Sequence, residues 1–87
     1  MTNEEFIEVF ENEETNWEGD NAFQGLMIIA KYIDPIKNDI ICAGEHDIIY
    51  SVDIEKLIEA GITLEDANKL RELNWIIEDD SYLACFV

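Results

Sequence analysis

The sequence predicts an α+β domain, and three observations carry that prediction. Apolar residues recur at helical spacing in four stretches, β-branched and aromatic residues cluster in four short runs, and polar turn residues separate the pieces. Taken in order, the elements read ααββααββ: a small antiparallel sheet of about four strands, packed by helices mostly on one face. The 87 residues make a single domain, 1–87, which by area scaling buries roughly 64% of its unfolded surface.

Thr2-Asn3-Glu4-Glu5 has the form of a capping box and opens a helix to about Asn12. Phe6, Val9 and Phe10 form its buried stripe, with Ile7 at the margin. The other face carries Glu4, Glu8 and Glu11, like charges at a spacing that destabilises a helix by a few tenths of a kcal/mol per pair. An acidic connection follows, with Trp17 either folded back as a lid or exposed as an aromatic anchor. Asn21 to Ile33 is the most apolar segment and is expected to be the central helix. Asp20 caps it, Asp34-Pro35 stops it, and Phe23, Leu26, Met27, Ala30 and Ile33 share one face. Gly25 costs roughly 1 kcal/mol there against alanine, which points to close approach of another backbone.

Pro35 to Asn38 make a turn. Ile40–Ala43 and Ile48–Val52 then read as a hairpin across Gly44-Glu45-His46-Asp47, the alternative being a single bulged strand through His46. Asp53 caps a helix with Ile54, Leu57 and Ile58 inward, ended by Gly61. Thr63 opens the next, with Leu64, Ala67, Leu70 and Leu73 as its stripe and Asn74 able to end it in a left-handed conformation. Trp75–Glu78 and Tyr82–Val87, joined by Asp79-Asp80-Ser81, close the chain as a second hairpin.

Twenty-one acidic residues against five basic ones give a net charge of −16. Nucleic acid and anionic membrane are therefore unfavourable partners, and basic protein surfaces are favourable ones. The helix pair over residues 53–73 holds six acidic and three basic groups, the reverse of a DNA-reading helix-turn-helix. No run is long enough to span a bilayer. Residues 1–15 carry six acidic groups and no basic ones, unlike a secretory signal, so a cytoplasmic location is expected. Cys42 and Cys85, both in apolar surroundings, are expected to be buried and reduced.

The pattern Glu45-His46-Asp47-x-Ile49-Tyr50, then Thr63-Leu64-Glu65-Asp66-Ala67, Leu70, Leu73-Asn74-Trp75 and Ala84-Cys85-Phe86-Val87, resembles a group of small acidic proteins encoded by phages and prophages. The likeness covers residues 40 to 87. Asn74 stands where those proteins often have glycine. The resemblance implies a phage setting, hence a host-cell cytoplasm, and no particular chemistry.

Catalysis finds little support. Glu45 and Asp47 point to one side of an extended chain and His46 to the other, Cys42 and His46 lack an orienting third group, and no zinc set is complete. Asp79-Asp80-Ser81 is neither a calcium loop nor a phosphate cradle, and the glycines are isolated. No catalytic residue, metal ligand or cofactor is assigned.

The acidic surface is what remains. Spread evenly over about 5,300 Å², a charge of −16 is roughly threefold more dilute than that of duplex DNA, so imitation of DNA requires the carboxylates to gather. The expected function is that of a phage-type inhibitor occupying a basic, nucleic-acid-binding surface of a host protein, with no direct nucleic-acid contact. Glu4, Glu8, Glu11, Glu14, Glu18 and Asp20 supply the charge, joined by Asp79 and Asp80, and Trp17 supplies the anchor. The alternatives are a ligand-sequestering module lined by His46, Tyr50 and Trp75, and a virion or assembly protein.

Overall fold

The computed structural model describes residues 1–87. The elements follow in the predicted order: α1 (Asn3–Val9), α2 (Asn21–Ala30), β1 (Ala43–Glu45), β2 (Ile48–Asp53), α3 (Ile54–Glu59), α4 (Leu64–Glu72), β3 (Ile76–Glu78) and β4 (Tyr82–Phe86). The four strands form one antiparallel sheet in the order β1-β2-β4-β3. The two hairpins are thus neighbours through β2 and β4. A bulge at Ser51 and Val52 shifts the register between them, with Tyr50 opposite Ala84 and Asp53 opposite Tyr82.

Each helix begins on its predicted cap. The Thr2 hydroxyl accepts from the Glu5 N–H while the Glu5 carboxylate accepts from the Thr2 N–H, a full capping box. Asp20, Asp53 and Thr63 cap α2, α3 and α4 in the same sense. Gly61 and Asn74 take the left-handed conformation, φ 89° and 65°, and each ends its helix in a Schellman pattern. The N–H of Ile62 reaches the Leu57 carbonyl, and that of Trp75 reaches the Leu70 carbonyl.

The core is one cluster: Phe6 from α1, Ile29 from α2, Val52 from β2, Ile54 and Leu57 from α3, Ala67 and Leu70 from α4, Leu83 and Cys85 from β4, with Ile62, Leu73 and Trp75 between elements. Because side chains alternate along a strand, Ala84, between Leu83 and Cys85, points to the side of the sheet opposite the cluster, where it too is buried. Helices therefore cover one side of the sheet.

Several expectations change. The first hairpin turns at His46-Asp47, with Gly44 and Glu45 paired in β1 rather than in the turn. The central helix ends at Ala30, one turn early, and its buried residues are Gly25 and Ile29. Phe23 and Met27, assigned to its inner face, are 60% and 57% exposed. Leu64 likewise lies outside the α4 stripe, exposed at the first turn. The organising residue is Trp75, 2% exposed at the junction of α2, α4 and the sheet. Its indole N–H donates to the Asn21 carbonyl at 3.1 Å, and the Asn21 amide donates to the Leu73 carbonyl at 2.8 Å. That bond satisfies an acceptor the end of α4 would otherwise leave open. A Cβ on Gly25 would lie 1.9 Å from the indole nitrogen, so the close approach expected at Gly25 is made by a ring rather than a backbone.

The cysteines divide, since Cys42 is exposed and Cys85 is buried. Residues 40–42 precede β1 on the open margin of the sheet, which is why the apolar run there leaves its thiol in solvent. Burial, with the charge of Asp20 adding to it, pushes the Cys85 thiol up to about 11. A native-state thiol titration at pH 8 is expected to label Cys42 quickly and Cys85 only after denaturant is added. Because the proton is held more tightly in the folded chain, this contribution to stability is full below the ordinary thiol pKa near 9 and is lost as pH rises towards about 11.

Candidate protein-interaction surface

The surface is built on α1 and the strap that follows it, residues 11–20. Phe6 is fully buried and stacks on Phe10 at 5.4 Å between ring centroids, with Ile7, Val9 and Phe10 half-buried. Burying a phenylalanine is worth roughly 2–3 kcal/mol, enough to hold α1 down despite the like charges on its outer side. Glu4, Glu5, Glu8 and Glu11 are exposed there. Hydrogen bonds from Thr2, backbone first and hydroxyl second, hold the Glu5 carboxyl below the usual range.

The strap has no regular secondary structure, yet its backbone is tied to the body. The Asn16 N–H donates to the Glu72 carbonyl at 2.9 Å, the Arg71 guanidinium donates to the Glu14 carbonyl, and the Gln24 amide donates to the Glu18 carbonyl at 2.6 Å. The Asp20 carboxylate then accepts from the Phe23 N–H as the cap of α2. These bonds use main-chain groups of the strap, so Glu13, Glu14 and Glu18 keep their carboxylates in solvent. Trp17 lies in the middle at 40% exposure, an exposed aromatic within the acidic strap rather than a closed lid.

No basic residue forms an ion pair with this segment. Lys31 meets Asp66 at 2.7 Å, and the Tyr32 hydroxyl donates to the same carboxylate. That lysine, then that hydroxyl, holds Asp66 below the ordinary carboxylate range. Lys69 lies 3.9 Å from Glu72, and Arg71, the chain's one arginine, is 9% exposed beneath the strap. Lys37 and Lys56 are exposed without an ion-pair partner. No acidic residue among the first twenty belongs to an ion pair. The Glu5 and Asp20 carboxylates are met by backbone N–H groups, and the Arg71 guanidinium lies beneath the strap; the other carboxylates face solvent.

Asp79 and Asp80 stand at the β3–β4 turn with φ of 52° and 51°. Asp80 and Glu11 line one hollow of about 240 Å³, which brings the turn and the end of α1 together. Sequence reasoning passed over two residues that matter here. Arg71 follows Ala67 by four and Leu70 by one, the spacing of the buried face of α4, which marks it as an inward cation. Glu13, inside the acidic run, lines a second hollow together with Arg71.

The residues considered for a ligand pocket are not gathered. Tyr50 lines a hollow with Tyr82, Trp75 lines others on the far side of the sheet order, and His46 sits at the β1–β2 turn with φ 55° and its side chain 89% exposed. Its nearest carboxylate, Glu45, is 3.8 Å away and also exposed. Compared with protein-family models, with curated proteins and with solved structures, the chain finds no match.

Proposed function

We propose that this chain is an acidic interaction protein, a phage-type inhibitor that occupies the basic, nucleic-acid-binding surface of a host protein in the host cytoplasm. One observation carries the reading: eight carboxylates within the first twenty residues are exposed and outside any ion pair, on a segment whose backbone is fixed to the body. A charge of −16 over 5495 Å² is one per about 340 Å², against about one per 110 Å² for duplex DNA. The average surface is thus too dilute to stand in for DNA, and the strap with α1 is where the charge is concentrated. Fixing it beforehand lowers the ordering cost on binding. The protein acts by occupying a surface and carries out no reaction.

The test is a tagged pull-down from host lysate at low and high salt, with mass spectrometry of what is retained. Reversal of Glu8 and Glu11 to lysine changes the local charge by four, and retention is expected to fall by about a hundredfold or more. The circular dichroism of the folded chain should stay the same, because both side chains are exposed. Equal retention by wild type and variant would remove the proposal. A second reading, assembly with other copies, is favoured by the side of the sheet away from the helices, where a half-buried Ile48 lies opposite the exposed Phe86. A strict monomer in light scattering would argue against it.

A further inference from the structure

The hollow between α1 and β3 combines an apolar lining with unpaired negative charge. Ile7 and Phe10 contribute from α1 and its cap, Ile76 and Ile77 from β3, and the two charged residues are Glu11 and Asp80. At about 240 Å³ it is below the roughly 300–1,000 Å³ of small-molecule pockets, a size suited to one long side chain. No basic residue of this chain lines it, and neither carboxylate has an ion-pair partner. β3 is an edge strand, so the hollow borders main chain open to a further extended segment.

The turn beside it points the same way. Two successive left-handed residues are ordinarily asparagine or aspartate followed by glycine. Here both are aspartates. The Tyr82 hydroxyl donates to the Asp79 carboxylate at 3.3 Å, and the Ser81 N–H closes the turn on the Glu78 carbonyl at 3.0 Å. Asp79 is thereby held, and Asp80 is the free carboxylate at the hollow.

We infer that this hollow receives an arginine or lysine side chain from an extended basic segment of the protein partner. The aliphatic stem packs on Phe10, Ile76 and Ile77, and the cationic head meets Glu11 and Asp80, an arrangement natural to long cationic side chains. The inference rests on the reading of the chain as a binder of basic protein surfaces and adds where its anchor sits.

The experiment uses the full chain, labelled with nitrogen-15, and a blocked peptide with one arginine flanked by β-branched residues, beside its uncharged citrulline counterpart. The arginine peptide is expected to shift the amide signals of Phe10, Glu11, Ile76 and Ile77, and the citrulline peptide to bind about three- to fivefold more weakly. Glu11→Gln with Asp80→Asn should cost a similar factor while leaving the melting temperature unchanged or raised, since asparagine tolerates the left-handed turn. Equal affinity in the double variant, or shifts centred on Glu4, Glu8 and Glu14, would overturn the anchor while leaving the broader acidic-surface reading standing. Absence of any shift with either peptide would also overturn it. A pull-down with Glu4 and Glu8 reversed, which leaves the hollow's charges in place, tests the broader reading separately.

Discussion

Trp75→Ala is expected to lower the unfolding free energy by about 3–5 kcal/mol. An 87-residue domain has roughly 4–13 kcal/mol in total, so the variant should be largely unfolded in mild urea and, at the lower end, in water. The loss has two sources. A large buried ring is removed from the place where α2, α4 and the sheet meet, and Asn21 loses the indole donor on its carbonyl. Urea unfolding followed by circular dichroism measures the change. A midpoint that moves by less than corresponds to about 1.5 kcal/mol would mean that the ring is not the organiser described here.

Gly25→Ala is the second, and its sign depends on Trp75. Alanine is the better helix former by roughly 1 kcal/mol, yet its Cβ would stand 1.9 Å from the indole nitrogen and 2.3 Å from the adjacent ring carbon. A rigid buried ring cannot yield without dragging its neighbours, so the net effect is destabilising by about 2–3 kcal/mol. With Trp75 already replaced by alanine the clash is gone, and the same substitution should stabilise by up to about 1 kcal/mol. This reversal is measured by a double-mutant cycle. A destabilising Gly25→Ala in both backgrounds would locate the need for glycine elsewhere.

The element order and all four helix caps were legible because they rest on local chemistry. Thr2, Asp20, Asp53 and Thr63 each precede an apolar-periodic run, and Asn74 precedes a strand. The facing of α2 was not legible. Apolar residues nearly encircle it, so periodicity cannot choose between Phe23 with Met27 and Gly25 with Ile29. The choice is made by Trp75, fifty residues away, and the glycine marks the side only once that ring is known. Strand burial misled in the same way at Cys42, since an isoleucine-rich run reads alike on a covered strand and on an open margin. The acidity of residues 4 to 20 was plain in the sequence. That Arg71 fixes the strap through the Glu14 carbonyl, and that Glu11 and Asp80 line one hollow, are long-range facts that no local pattern carries.

The measurement that bears most directly on the central claim is competition between this protein and duplex DNA for the basic protein it retains. The account predicts mutually exclusive binding that weakens as salt rises, because both ligands meet the same cationic surface and exposed charge pairs are screened by ions. A ternary complex of partner, DNA and this protein, formed with undiminished affinity, would contradict it.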